Sequence, residues 1–194
     1  MCRYTHYVME VLSKKMTYAE LQELDIPEGD TGIYELLNGE IVRRSSPHTP
    51  HQRASLKLIL LLGGYNQEKS LGEIFHAPYD VYLDEHNAGI QPDILFVSHE
   101  RNFVIRDNNG IVGAPDLIVE ILSKGTAAKD RGIKKDIYEQ FAVREYWIVD
   151  PQARSIEVYQ IQDNRYRLCS FAAEEGTIQS SVLTDLELDV STVF

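Results

Sequence analysis

Residues 115–150 read PDLIVEILSKGTAAKDRGIKKDIYEQFAVREYWIVD, and this stretch decides the fold. Asp116 to Leu122 is a short, nearly continuous apolar run, the pattern of a strand buried on both faces. From about Thr126 to Ala142 the period changes to helical, with Ile133, Ile137 and Phe141 on one stripe at i, i+4, i+8. Glu145 to Asp150 (EYWIVD) is a second buried-type strand. A strand, a helix and a strand in so short a space predict a parallel crossover.

Upstream, IYELL and EIVRR flank Asn38-Gly39, a pair that favours a tight type I′ hairpin turn. In that register Leu37 opposes Glu40 and Glu35 opposes Val42, so Glu35 and Glu40 share a face. Before the hairpin, Thr17 and Glu20 form a capping box that opens a short helix, Tyr18 to Leu24, closed near Pro27. After it, a helix is predicted from about His51 to Glu68, with Leu56, Ile59, Leu60 and Leu62 as its apolar side and Gly63-Gly64 ending or bending it. Strand-like segments follow over 73–84 and 90–98. Downstream of Pro151, SIEVYQI and RYRLCSF flank Asp163-Asn164 as a hairpin, and 176–194 reads as an edge strand plus a tail. The sum is an α/β domain with a mixed sheet, an N-terminal hairpin and a β-rich C-terminal extension.

The chain of 194 residues suits one domain, 16–194, behind an N-terminal extension, 1–15. Its formal charge of −11 excludes a generic basic coat for nucleic acid but not a local basic island. Cys2 and Cys169 make neither a disulfide framework nor a metal knuckle, and no apolar run is long enough to span a bilayer. With no secretory leader evident, a cytoplasmic protein without membrane contact is expected.

Three side chains stand out. Glu120 lies between Val119 and Ile121, where a carboxylate is costly unless something pairs with it. The alternatives are a structural ion pair and a metal ligand or general acid/base. Asp93 follows Pro92 at a strand start, and Asp116 follows Pro115 as its rival. Asp116 and Glu120 are four residues apart on one strand, roughly 13 Å, too far for one ion to take both. Asp93, from a neighbouring strand, is therefore preferred. Lys134 stands one turn after Asp130 and reads either as a surface ion pair with it or as a functional amine.

Basic islands flank these acids. Arg43, Arg44, Arg53 and Lys57 lie in one stretch without acids; Lys124, Lys129, Arg131, Lys134 and Lys135 lie in another with only Asp130. They fit a polyanion approaching one face, with the solvated-loop reading beside it. Arg43, Arg44, Arg53, Lys124, Lys129 and Arg131 are the candidate nucleic-acid contacts. Trp147 and Tyr146 read as core, and the histidines show no metal-ligand spacing. In particular, a proline separates His48 from His51, against a shared helical face.

The segments QPDILFVS, APDLIVEILS, the run from Thr126 through Asp130 and Lys134 to Tyr138, and VREYWIVDP together resemble the Uma-two family of restriction-endonuclease-like proteins. YELLNGEIV and the Ser-Pro-His approach to the first long helix match as well. The resemblance covers about 16–194 and implies a PD-(D/E)XK nuclease-like fold with an αβββαβ core. It implies that Asp93 fills the PD position and Glu120 the acidic position, holding Mg²⁺ or Mn²⁺ with a backbone carbonyl near Ile121. The lysine usual two residues past the acid is Leu122 here, and the resemblance suggests that Lys134 supplies the amine from the following helix. Lys124 is the in-strand alternative. No helical glutamate of the first motif is evident; His51, Glu40 or Glu35 are its substitutes. Asp130 would position Lys134, while Tyr138 reads as packing or as a phosphate contact. The implied activity is metal-dependent DNA cleavage, with a homodimer open. A non-catalytic interaction module on the same fold is the alternative.

Overall fold

The structure, a computed structural model, describes residues 15–25, 29–30, 32–44, 46–107 and 110–194. The expected extension 1–15 and Pro27 lie outside these, apart from Lys15. Helix α1 (Tyr18–Gln22) is followed by the hairpin strands β1 (Ile33–Leu37) and β2 (Glu40–Arg44). The long α2 (Thr49–Lys69) precedes β3 (Gly72–His76), β4 (Val81–Tyr82), β5 (Ile94–Ser98), β6 (Ile105–Arg106), β7 (Gly110–Val112) and β8 (Leu117–Ile121). Helices α3 (Ala127–Arg131) and α4 (Ile133–Gln140) lead to β9 (Glu145–Asp150). The chain closes with β10 (Ser155–Gln162), β11 (Arg165–Ala173), β12 (Thr177–Gln179) and β13 (Glu187–Asp189).

Six strands form the central sheet in the order β11-β10-β9-β8-β5-β3. The β8–β9 pair is parallel and the other pairs are antiparallel, so the sheet is mixed, as the crossover predicted. The succession α2, β3, β5, β8, α4, β9 is the expected αβββαβ order.

Side-chain alternation builds two cores. Ile94 and Phe96, Leu117 and Val119, and Trp147 and Val149 point to one face, covered by Ala54, Leu58 and Leu62 of α2. Leu95 and Val97, Ile118, Tyr146 and Ile148 point to the other, covered by Ile137 and Tyr138 of α4 and Leu37 of the hairpin. Glu120, one residue from Val119 in either count, belongs to this second face.

Several expectations need correction. On α2, Leu56 and Leu60 are exposed (60% and 66%), and the buried stripe is His51, Ala54, Leu58 and Leu62. The helix also runs through Gly63-Gly64 and stops only at Ser70, which takes a left-handed conformation. The single helix expected over 126–142 is broken at Gly132, whose φ of −111° and ψ of −106° are not helical. The strand expected over 73–84 ends at His76, because Pro78 has no N–H for the ladder; β4 belongs to a separate sheet with β7 and β6. The segment 176–194 is neither an edge strand of the main sheet nor a loose tail. β12 and β13 form their own hairpin, and Ile178, Leu183, Leu186, Val190 and Val193 complete the α2-side core.

Candidate active site

The antiparallel register pairs Ile94 with Val119. Extended by one residue, it sets Asp93 opposite Glu120. The Asp93 carboxylate accepts the backbone N–H of Ile121 at 2.7 Å, so the two acids occupy the same end of adjoining strands. That end is also where β8 gives way to the crossover helices, and α4 returns Lys134 over the second face. Lys134 Nζ donates to Glu120 Oε1 at 2.9 Å and to Glu35 Oε1 at 3.0 Å. Tyr138, one turn later, donates its hydroxyl to the same Glu120 oxygen at 2.8 Å. Tyr138 thus makes a polar contact to the acid as well as packing.

The hairpin supplies the remaining members. Asn38 and Gly39 both have positive φ, 52° and 79°, as a type I′ turn requires, and the register pairs Glu35 with Val42. Glu35 is fully buried and accepts from Lys134, from Arg44 and from the N–H of Gln91. Arg44 also reaches Asp93 Oδ1 at 3.4 Å. His51, near the start of α2, meets Asp93 Oδ2 through Nε2 at 3.0 Å. Asp130 is buried beside the group.

Four carboxylates (Glu35, Asp93, Glu120, Asp130) thus face two permanent cations (Arg44, Lys134) in a nearly closed space. The electrostatics follow. Burial first, then the neighbouring Asp130 and Asp93, push the Glu120 carboxyl up to about 8 against the pull of Lys134 and Arg44. Asp93 behaves oppositely. Burial opposes its ionisation, but His51, Arg44 and the Ile121 N–H together hold it below the usual carboxylate range. For Lys134, burial favours the neutral amine and is outweighed by Glu120 and Glu35, so it stays an ammonium.

The Lys134–Asp130 surface pair considered from sequence does not form. Lys134 is buried, and its nitrogen turns to the two glutamates. Glu40 shares a face with Glu35 but is exposed at the hairpin tip, away from the cluster. Asp116 sits at the opposite end of β8, where it accepts the Ser98 N–H and faces Arg144 and Arg101. Lys124 is exposed beyond the end of β8.

The six basic residues divide. Arg44 is part of the buried cluster, not of a surface island. Arg43 is bound to Asp30, and Arg131 to Glu157 and Asp150. Arg53 is exposed, and Lys129 lines a cleft of about 110 Å³ with Glu35, Arg44, Asp130 and Lys134. Sequence reasoning placed Arg44 among DNA contacts because its partners, 9 and 49 residues away, give no local signal.

Among the described residues, no three His, Cys, Asp or Glu side chains converge as a ready-made metal cage. The donor set nonetheless suits a hard divalent ion. Glu35 Oε2 and Glu120 Oε2 are buried carboxylate oxygens without a hydrogen-bond partner among the described residues. Glu145 gives the contrast. It is equally buried, but it accepts from Trp147, Gln160, Ser180 and Ser181 and reads as purely structural.

The family model described as "Uma2: Putative restriction endonuclease" matches residues 18–191. Among solved structures, the chain is similar to a protein titled "putative nuclease belonging to DUF820" from Anabaena variabilis ATCC 29413. The identity is 18% and the TM-score 0.70, over 92% of this chain and 97% of that one. A weaker likeness, TM-score 0.37 at 14% identity, covers 63% of this chain and 13% of the type IIG restriction endonuclease BpuSI. No curated protein matches the chain.

Proposed function

This chain belongs to the Uma2 family of restriction-endonuclease-like proteins, and we propose that it is a divalent-metal-dependent phosphodiesterase acting on DNA. The observation that carries the reading is Glu120. It is a buried carboxylate with one oxygen held by Lys134 and Tyr138 and the other without a partner among the described residues, beside Asp93 on the adjoining strand. Asp93 and Glu120 would hold Mg²⁺ or Mn²⁺, together with a backbone carbonyl near Ile121. When bound, the ion supplies Lewis acidity toward a phosphate oxygen and a more acidic water.

The chain's own groups do the rest. Lys134 orients a water at the Glu120 oxygen and offsets charge that gathers on the phosphoryl oxygens. Arg44 fixes Glu35 and Asp93, and Glu120 and Glu35 keep Lys134 charged, with a smaller contribution from Asp130. Glu120→Gln and Asp93→Asn are expected to lose Mg²⁺-dependent cleavage while keeping the wild-type fold by circular dichroism. Undiminished activity in both would refute the assignment.

One observation favours a second reading. Asp93, Glu120 and Lys134 are each at most 5% exposed, and the 110 Å³ cleft beside them is too small for a nucleotide. On that reading the cluster is a structural ion network, and the fold serves a partner. Melting curves with Mn²⁺ separate the two. An ion that binds only the folded chain stabilises it by about 2.7 kcal/mol at a hundred times its Kd, whereas a purely structural network shows no saturable shift.

A further inference from the structure

Helix α2 is apolar on two sides, and the sheet covers only one of them. Ala54, Leu58 and Leu62 pack on the sheet, while Leu56 and Leu60 are exposed. Arg53, Leu56, Leu60, Gly63, Gly64 and Gln67 recur at intervals of three and four, so they form one outward stripe. A helix apolar all round is ordinarily buried all round.

Nothing inside the chain requires the two glycines of this stripe. Neither Gly63 nor Gly64 has a positive φ, and a Cβ built on either would meet nothing within 4 Å. Glycine weakens a helix interior relative to alanine, because it gives up more backbone freedom on folding. A bare backbone here serves a body that comes close from outside, and it lies one turn from Leu60, the most exposed leucine of the helix. The two ends of the stripe also differ in charge. Arg53 stands toward one end and Glu68 toward the other; both are exposed, and neither has an ion-pair partner among the described residues.

We infer that this face of α2 packs antiparallel against the same face of a second copy of the chain. A two-fold axis beside Leu60 sets Leu60 on Leu60 of the second copy and lays Leu56 over the gap left by that copy's Gly63 and Gly64. The same axis brings Arg53 beside Glu68 of the second copy, twice by symmetry. A parallel pair would instead oppose Arg53 to Arg53 and Glu68 to Glu68, and would align the two helix dipoles. Charge therefore selects the antiparallel pair. A foreign partner would need the same knobs and the reverse charge order, which a second copy has by construction. One helix pair is a small interface, under about 1,200 Å², so association in the micromolar range is expected. His51, which touches Asp93, and its counterpart then lie about 27 Å apart along the helix axis, at 1.5 Å per residue. The two carboxylate clusters thus sit at opposite ends of the pair.

The test is analytical ultracentrifugation of the full chain over a concentration series from nanomolar to high micromolar. Wild type is expected to pass from monomer to dimer. Leu60→Glu sets two carboxylates against each other on the axis and should raise the dissociation constant at least about tenfold, with the melting temperature of the dilute chain unchanged. Gly64→Gln should raise that melting temperature, since it removes a helical glycine, and should weaken the dimer, since it fills the gap that Leu56 enters. Arg53→Glu and Glu68→Arg should each weaken the dimer about tenfold, and the two together in one chain should return it to within about twofold of wild type. That rescue identifies the occupant, because neither a foreign partner nor a parallel pair responds in this way. A wild type that stays monomeric throughout, a dimer that Leu60→Glu leaves intact, or charge reversals that fail to rescue each other would overturn the inference.

Discussion

Glu120 is costly where it stands, and the cost has a sign that pH can read. Burial pushes its carboxyl up to about 8 in the folded chain, from an ordinary 4.5. A group raised on folding contributes stability below its unfolded pKa and loses it as pH climbs through the folded one. The metal-free protein is therefore expected to lose stability between about pH 4.5 and pH 8, and Glu120→Gln to flatten that slope. Urea midpoints across this window check it; an unchanged slope in the variant would mean that Glu120 is already ionised at neutral pH. Asp93 works in the opposite direction. Depressed by His51, Arg44 and the Ile121 N–H, it contributes stability at neutral pH that is lost in acid. Lys134→Met should cost about 3–5 kcal/mol in urea unfolding, since it leaves Glu35 and Glu120 buried without their shared cation. A cost under about 1 kcal/mol, the range of a surface pair, would contradict the buried geometry.

At the scale of elements, the sequence was legible where a local period carried the information. The crossover 116–150 and the Asn38-Gly39 hairpin both follow from patterns a few residues long. The register of α2 did not. LILLL over 58–62 is apolar on every side, so periodicity cannot choose a face; contact with the sheet chooses Leu58 and Leu62. Leu58→Ala is accordingly expected to cost about 2–5 kcal/mol, while Leu60→Ala stays within about 0.5 kcal/mol. Equal costs would put the wrong stripe inward. The cluster was half legible for the same reason. Glu120 betrayed itself as an acid in an apolar strand. Lys134 read either as half of a surface pair or as a functional amine, and the local pattern could not choose, because the break at Gly132 and the contact with Glu35, 99 residues away, belong to tertiary structure.

At the scale of the whole molecule, the last 19 residues matter more than their sequence announced. Short and polar between its leucines, 176–194 carries no period long enough to mark it as core. Yet Leu183, Val190 and Val193 are fully buried against the face that α2 covers. Truncation after Gln179 should abolish cooperative thermal unfolding, and a truncated chain that still melts sharply would show that the segment is dispensable. No helix among the described residues is long and apolar enough to cross a membrane.

The most direct measurement of the central claim is nicking of supercoiled plasmid by purified full-length chain in Mg²⁺ or Mn²⁺, beside Glu120→Gln and Asp93→Asn of matched fold. Wild-type protein is expected to nick in a metal-dependent way, suppressed by chelation and lowered at least about 10²-fold in each variant. Nicking that survives chelation, or that Glu120→Gln performs at the wild-type rate, would contradict it.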